Sequence, residues 1–200
     1  TRKGNVIKLE DLLQKAIDKT KEIIEARNPA LENKDEVAKQ VGVGAIVFND
    51  LKGNRITDIN FTWEEALNFD GETGPYVQYT YARTCSVIRK ARQEKGFETT
   101  SESARLVDAA LLQNDEAIAV IKTLQLFEER IVLAMNKLEP SIITRYLIDL
   151  AQDFNRFYHA CHILVNDSEL CKARLAVVQC VNITLKNGLK LIGLEAPEKI

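Results

Sequence analysis

The sequence predicts an all-α fold, and three observations carry that expectation. Only 9 Gly and 4 Pro punctuate 200 residues, too few turn formers for an all-β sandwich. Apolar residues recur at spacings of three and four along most of the chain, the period of helices with one buried face. The chain is 46% apolar and 28% charged, close to the globular average and sufficient to bury a core as one large domain or two small ones. No run of 18 apolar residues occurs, so no membrane span is predicted. Cys85, Cys161, Cys171 and Cys180 form no CxxC pair, and no apolar stretch follows the start. Reduced thiols and a cytoplasmic location are therefore expected. The first residue is not Met, which points to a fragment or a processed chain.

The elements follow in order. Leu9, Leu12, Leu13, Ala16, Ile17, Ile23 and Ile24 mark a first helix that Pro29 ends. Asn33 or Asp35 caps a second, running through Val37, Val41, Ala45, Phe48 and Leu51. Gly42 and Gly44 lie inside it, each costing about 1 kcal/mol in a helix, so a close helix or ligand approach is expected there. Residues 56–62 alternate loosely and read as a short extended segment. Thr62 and Glu65 make a capping box for a short helix over 63–69. Residues 70–75 are a turn-rich loop, and Pro75 suits the first turn of a helix reaching Lys95, which Gly96 stops. A short helix is expected over 104–112. A longer one, capped by Asn114 or Asp115, runs through Leu124, Phe127, Ile131 and Ala134. A long helix spans 141–165, and a last one runs from Glu169 to Lys186 or beyond, with Asn187, Gly188 and Gly193 breaking its end. No repeat and no low-complexity tract is present.

The net charge of −2 excludes a globally basic nucleic-acid binder but not a local basic face. Residues 74–96 hold five basic groups (Arg83, Arg89, Lys90, Arg92, Lys95) against one acidic. On a helical wheel, Val77, Tyr81, Cys85 or Thr84, and Ile88 form the core stripe. Tyr76, Tyr79 and Arg83 share another, so two phenols and a guanidinium stand together. Such a face can stack unpaired bases and hold phosphates; it can equally be a helix–helix seam. In the helix over 141–165, Leu147, Leu150, Phe154, Phe157, Cys161 and Leu164 form the core stripe. Ala151, Asn155, Tyr158 and His162 lie beside it, with Tyr158 either a half-buried packing residue or a second stacking platform. His159 and His162 are three apart, but no further ligand stands at zinc spacing, so no metal site is expected. No nucleophile motif and no phosphate loop occurs.

The string Gly74-Pro75-Tyr76-Val77-Gln78-Tyr79-Thr80-Tyr81-Ala82-Arg83 resembles the anticodon-domain helix of arginyl-tRNA synthetases. So do Gly42-Val43-Gly44-Ala45-Ile46, residues 54–58, Phe61-Thr62-Trp63, and the run from Asn68 to Thr73. Tyr146-Leu147, Asp153-Phe154-Asn155, Tyr158, Ala173-Arg174-Leu175 and residues 188–194 extend the resemblance over essentially the whole chain. Thr1-Arg2-Lys3-Gly4-Asn5 is similar to the tail of that family's KMSKS loop, and no match to its HIGH motif or N-terminal tRNA-elbow domain is found.

The resemblance implies a helical bundle of the class I synthetase anticodon-binding type over 74–200. Before it, residues 1–73 would be the end of a catalytic region and a helical stem-contact segment. The parent enzyme would attach arginine to its tRNA using ATP with Mg²⁺; the fragment alone would hold no cofactor and catalyse nothing. By family motif the tRNA-binding residues are Tyr76, Tyr79 and Arg83, with Asn68, Asp70 and Gly71 in the loop before them. Tyr158 is another, flanked by Asn155 and His162. Arg89 and Arg92 would hold phosphate or base edges. Ile200 stands where many members end in Met, near the anticodon. Lys3 would be a remnant of the ATP-holding loop. Tyr81 stands where His is frequent and is expected to pack. The partner implied is arginine tRNA, with no DNA and no membrane, and the state implied is monomeric. Two rival readings stand beside this one: a helical protein-interaction module with a basic face, and a metal-dependent enzyme using His159 and His162.

Overall fold

A computed structural model describes residues 8–54, 56, 58, 61–98 and 105–200. Among these residues every regular element is helical. Helix α1 spans Leu9–Arg27, α2 Lys34–Lys52, α3 Trp63–Ala66 and α4 Gly74–Lys95. Then come α5 Asp115–Gln125, α6 Phe127–Lys137, α7 Ser141–Ala160 and α8 Ser168–Leu191.

Helix α7 is the centre, because apolar side chains surround much of its circumference. Leu147, Leu150, Phe154 and Phe157 are fully buried. They pack with Val77 and Tyr81 of α4, Val120 of α5, Val178 and Leu185 of α8, and Phe48 of α2 in one cluster. A smaller cluster joins Ile24, Leu31, Val37, Val41 and Phe69, with Ile200 against it. Helix α2 serves both clusters. It lies in the expected first segment, yet its Phe48 belongs to the core of the second.

The two glycines of α2 are there for close approach. A Cβ on Gly42 would meet the Ala16 backbone at 2.9 Å, so α1 lies directly on α2. A Cβ on Gly44 would meet the Gln78 amide of α4 at 2.8 Å. Thr62 and Thr73 cap α3 and α4 through Glu65 N–H and Tyr76 N–H, and Asp167 accepts from both Glu169 and Leu170 N–H at 3.0 Å to start α8.

Several boundaries differ from expectation. Helix α3 stops at Ala66 rather than 69, because Asn68 turns its side chain onto Asp70 N–H at 2.8 Å and its carbonyl accepts from the Thr73 hydroxyl. Of the helix expected over 104–112, Arg105 is helical, the chain then turns at Leu106 and Val107, and a 3₁₀ turn covers Ala109–Leu111. Leu106 there is exposed, while Val107, Leu111 and Leu112 pack on the main core. The expected extended segment falls largely on residues outside those described. The helix from Asn114 breaks at Leu126 into α5 and α6; a one-residue break leaves the apolar period intact, so periodicity cannot reveal it. Helix α7 ends at Ala160, not 165. Beyond it the chain bends at Cys161 and again at Ile163 and Leu164, with Cys161 and Ile163 buried and His162 exposed. Gly188 does not break α8. It stays helical, and a Cβ there would lie 2.4 Å from Leu147 Cδ2. The stop is Gly193, at φ 75°, with Leu194 N–H returning to the Leu189 carbonyl at 2.9 Å.

Gly188→Ala should therefore overpack the α7–α8 contact and destabilise the fold by about 1–3 kcal/mol. Urea unfolding measures this; a loss below about 0.5 kcal/mol, the scatter of ordinary surface substitutions, would mean that the contact relaxes freely.

Candidate RNA-binding site

Helices α4 and α7 cross so that residues 76, 79, 80 and 83 face residues 155 and 158. The centre of the arrangement is Arg83. Its guanidinium carbon lies 5.2 Å from the Tyr79 ring centroid and 5.1 Å from that of Tyr158, a cation between two π faces. One guanidinium nitrogen donates to Asn155 Oδ1. A guanidinium has donors only, so Asn155 must turn its oxygen there, which leaves its Nδ2 to donate elsewhere. It does so, to the Tyr76 hydroxyl at 2.9 Å and the Thr80 hydroxyl at 3.0 Å. One amide thus ties α7 to three residues of α4.

Tyr79, Arg83 and Tyr158 of this cluster line a cavity of about 460 Å³, with Tyr76, Thr80 and Asn155 behind them. Arg89 and Lys90 line it from α4, Asn28 from the end of α1, and Lys199 and Ile200 from the chain's last segment. Among the described residues Glu198 is its one acidic lining residue, against Arg83, Arg89, Lys90 and Lys199, so cations predominate. A smaller cavity of about 250 Å³ adjoins, sharing Asn28, Tyr79 and Ile200 and adding Arg27 and Phe69. Phe69 meets Tyr79 edge to face at 6.3 Å and carries the Arg27 guanidinium 5.2 Å from its centroid. Tyr79 is therefore wedged between Phe69 and Arg83, one ring linking both spaces.

The chain's last segment reaches the cavity because it is tethered twice. Gln78 is fully buried, and its Nε2 donates to the Glu195 carbonyl at 2.8 Å and to the Gln40 carbonyl at 3.2 Å. Gly44 makes the room for that amide. Farther on, Asn28 Nδ2 donates to the Ile200 carbonyl at 3.4 Å.

The structure brings together Tyr76, Tyr79, Arg83, Asn155, Tyr158, Arg89 and Ile200 from the sequence-derived set. It does not bring in Arg92, nine residues past Arg83 and hence half a turn round the helix; Arg92 is exposed and paired with Glu98 at 3.6 Å. His162 also falls outside. It leaves α7 altogether, and its carbonyl accepts from Arg174 at 2.6 Å. Asn68, Asp70 and Gly71 form the turn beside the site rather than its lining; Phe69 between them is the residue that reaches in. Lys3 lies outside the described residues. Tyr81 packs, and burial pushes its phenol pKa well above the ordinary range. Among the described residues no three His, Cys, Asp or Glu side chains gather as metal ligands. No described helix is long and apolar enough to cross a membrane.

Sequence reasoning misses Asn28, Phe69, Gln78, Ser86, Glu198 and Lys199. Phe69 has a signal, a lone large apolar residue in a turn-rich loop. Asn28 has none, since its partner is 172 residues away.

Similarity to known proteins falls on the same elements. The family model described as DALR anticodon binding domain matches residues 77–200, and that described as tRNA synthetases class I (R), catalytic domain, matches residues 1–63. Arginine–tRNA ligase of Clostridioides difficile is 53% identical over all 200 residues, and that of Alkaliphilus metalliredigens 54%. The chain spans about a third of the length of these curated relatives (34% in both). Among solved structures, Thermus thermophilus arginyl-tRNA synthetase superposes with a TM-score of 0.88 at 33% identity, over 98% of this chain and 33% of that one. The Plasmodium falciparum enzyme gives 0.81 at 26%, over 98% and 34%.

Replacing Gln78 by Leu leaves the Gln40 and Glu195 carbonyls without their shared donor, a cost of about 1–3 kcal/mol. Amide hydrogen exchange over residues 194–200 should speed up while that of α7 stays protected. Unchanged exchange in the last segment would show that Gln78 does not hold it.

Proposed function

The chain belongs to the DALR anticodon-binding family over residues 77–200, and from that premise we propose that it is the tRNA-binding part of an arginine–tRNA ligase. The observation that carries this reading is the Arg83 guanidinium held between Tyr79 and Tyr158 on the wall of a cation-lined cavity. The cavity has room for a base turned out of a loop. Tyrosine faces offer stacking worth about 1–3 kcal/mol per base. Arg83, with only part of its donor fork used by Asn155, can give hydrogen bonds to acceptors on a base edge. Arg89, Lys90 and Lys199 supply the charge that phosphates seek.

The ligand is the anticodon loop of arginine tRNA. The arginine codons of the standard code all carry G at the second position, so arginine anticodons share their middle cytosine, and readout centres on that base. Cytosine presents acceptors at O2 and N3 to a guanidinium, and its exocyclic amine needs an acceptor such as Glu198. Residues 74–200 act as the anticodon-binding part, and residues 1–73 belong to the end of a catalytic region with a stem-contact segment. The whole enzyme would join arginine to tRNA with ATP and Mg²⁺ in the cytoplasm. This chain, without a HIGH motif, supplies binding rather than chemistry, and it acts as a monomer. A helical protein-interaction module with a basic face explains the charge, but not an arginine held over two tyrosine rings beside open space.

The test is equilibrium binding of the chain to arginine tRNA and to the same tRNA with its middle anticodon base replaced, across a salt series. The reading predicts a loss of about tenfold or more on replacement, the worth of one well-read base. Tyr79→Ala and Tyr158→Ala should each weaken the cognate RNA about 5- to 100-fold, as removal of a stack worth about 1–3 kcal/mol implies, and flatten the discrimination. Equal, purely salt-dependent binding to both RNAs would contradict it.

A further inference from the structure

A second recess, of about 430 Å³, opens beside the N-terminal half of α7, away from the Arg83 cavity. Three elements supply its cations: Lys52 at the end of α2, Arg130 and Lys137 on α6, and Arg145 on α7. Arg130 and Lys137 are seven residues apart and so share one helix face. Lys52, Arg130 and Lys137 make no ion pair among the described residues, and Arg145 is paired with Glu72 at 2.9 Å. Among the described residues Asp149 is the one carboxylate in the lining; burial raises its pKa, against the opposing pull of Arg145. Tyr146 is also in the lining, and its buried hydroxyl finds no hydrogen-bond partner. With Arg145 paired to Glu72 and Asp149 in the lining, Lys52, Arg130 and Lys137 still leave this recess an excess of positive charge in a chain of net charge −2.

We propose that this recess is a second phosphate-binding site, which takes backbone phosphates of the same RNA whose loop enters the Arg83 cavity. The proposal rests on the RNA-binding reading given above. The argument for one RNA spanning both places is the link between them. Arg145 on the rim holds Glu72 of the loop that precedes α4, and Phe69 of that loop packs on Tyr79 in the other site. An RNA lying across the 68–73 turn meets base-stacking rings on one side and unpaired cations on the other. Cations grouped round a hollow suit phosphate oxygens, and phosphate contacts add affinity without sequence preference.

The test uses the triple variant Lys52→Ala, Arg130→Ala, Lys137→Ala and, separately, Asp149→Asn, with thermal unfolding of each confirming an intact fold. Binding of arginine tRNA and of its middle-anticodon variant is followed over a salt series. The proposal predicts that the triple variant lowers affinity for both RNAs by the same factor, about tenfold or more near 0.1 M salt. Its log–log salt slope should fall by about two to three, roughly one for each phosphate no longer neutralised. Asp149→Asn should tighten both RNAs severalfold. Unchanged affinity and slope in the triple variant, with wild-type discrimination between the RNAs intact, would overturn the recess as a phosphate site and leave the anticodon reading standing. Failure of the unmodified chain to bind either RNA would overturn the anticodon reading itself. If poly-glutamate bound to the recess while the triple substitution left RNA affinity untouched, the recess would belong to an acidic protein partner and the proposal would fail.

Discussion

The site depends on one amide. Arg83 sits where two aromatic rings remove much of its water, a position worth about 0.5–2 kcal/mol if the cation is fixed in place and costly if it swings. Asn155 fixes it by accepting from the guanidinium while donating to Tyr76 and Thr80. A hydrogen bond to a charged group contributes about 1.5–3 kcal/mol, enough to choose one rotamer of a long side chain over its alternatives. The same amide therefore sets the place of the cation, the orientation of the Tyr76 phenol and the spacing of α4 from α7. None of this works unless those helices cross at the right register, and the packing of Val77, Leu150, Phe154 and Phe157 sets that register.

Distant parts of the chain are bent to the same end. The cavity needs a wall opposite α4, and residues 198–200 supply it after a sharp stop at Gly193. The Gln78 tether holds the start of that segment against α2. Gln78 in turn needs a glycine at position 44, where any Cβ would occupy the space of its amide. Gly42 does the corresponding work for α1 and so delivers Asn28 to the Ile200 carbonyl. Two helix glycines, each unfavourable by about 1 kcal/mol on propensity alone, are thus explained by where they let other groups come.

Much of this is legible in the sequence, and the pattern of what is not is physical. Helical period places Tyr76, Tyr79 and Arg83 on one face and Asn155 with Tyr158 on another, since both sets lie within single helices. That the two faces meet is a long-range fact, carried by apolar volumes that no period encodes. His162 falls on the site face only if the helix continues past Ala160, into a segment whose burial alternates, Cys161 and Ile163 in and His162 out. Arg92 shares charge with Arg83, but rotation round the helix separates them. Gly188 has the propensity of a stop, yet packing on Leu147 requires it inside the helix, a case where propensity gives way to tertiary contact.

The central claim is that Asn155, Arg83 and the flanking tyrosines act as one unit. A double-mutant cycle on RNA binding tests it most directly, with Asn155→Ala and Arg83→Ala made singly and together. If the amide acts by holding the guanidinium, each single change weakens cognate tRNA by a similar factor and the double change costs little more than either. If the losses simply add, Asn155 contributes on its own account, and Arg83 is not held in place by it.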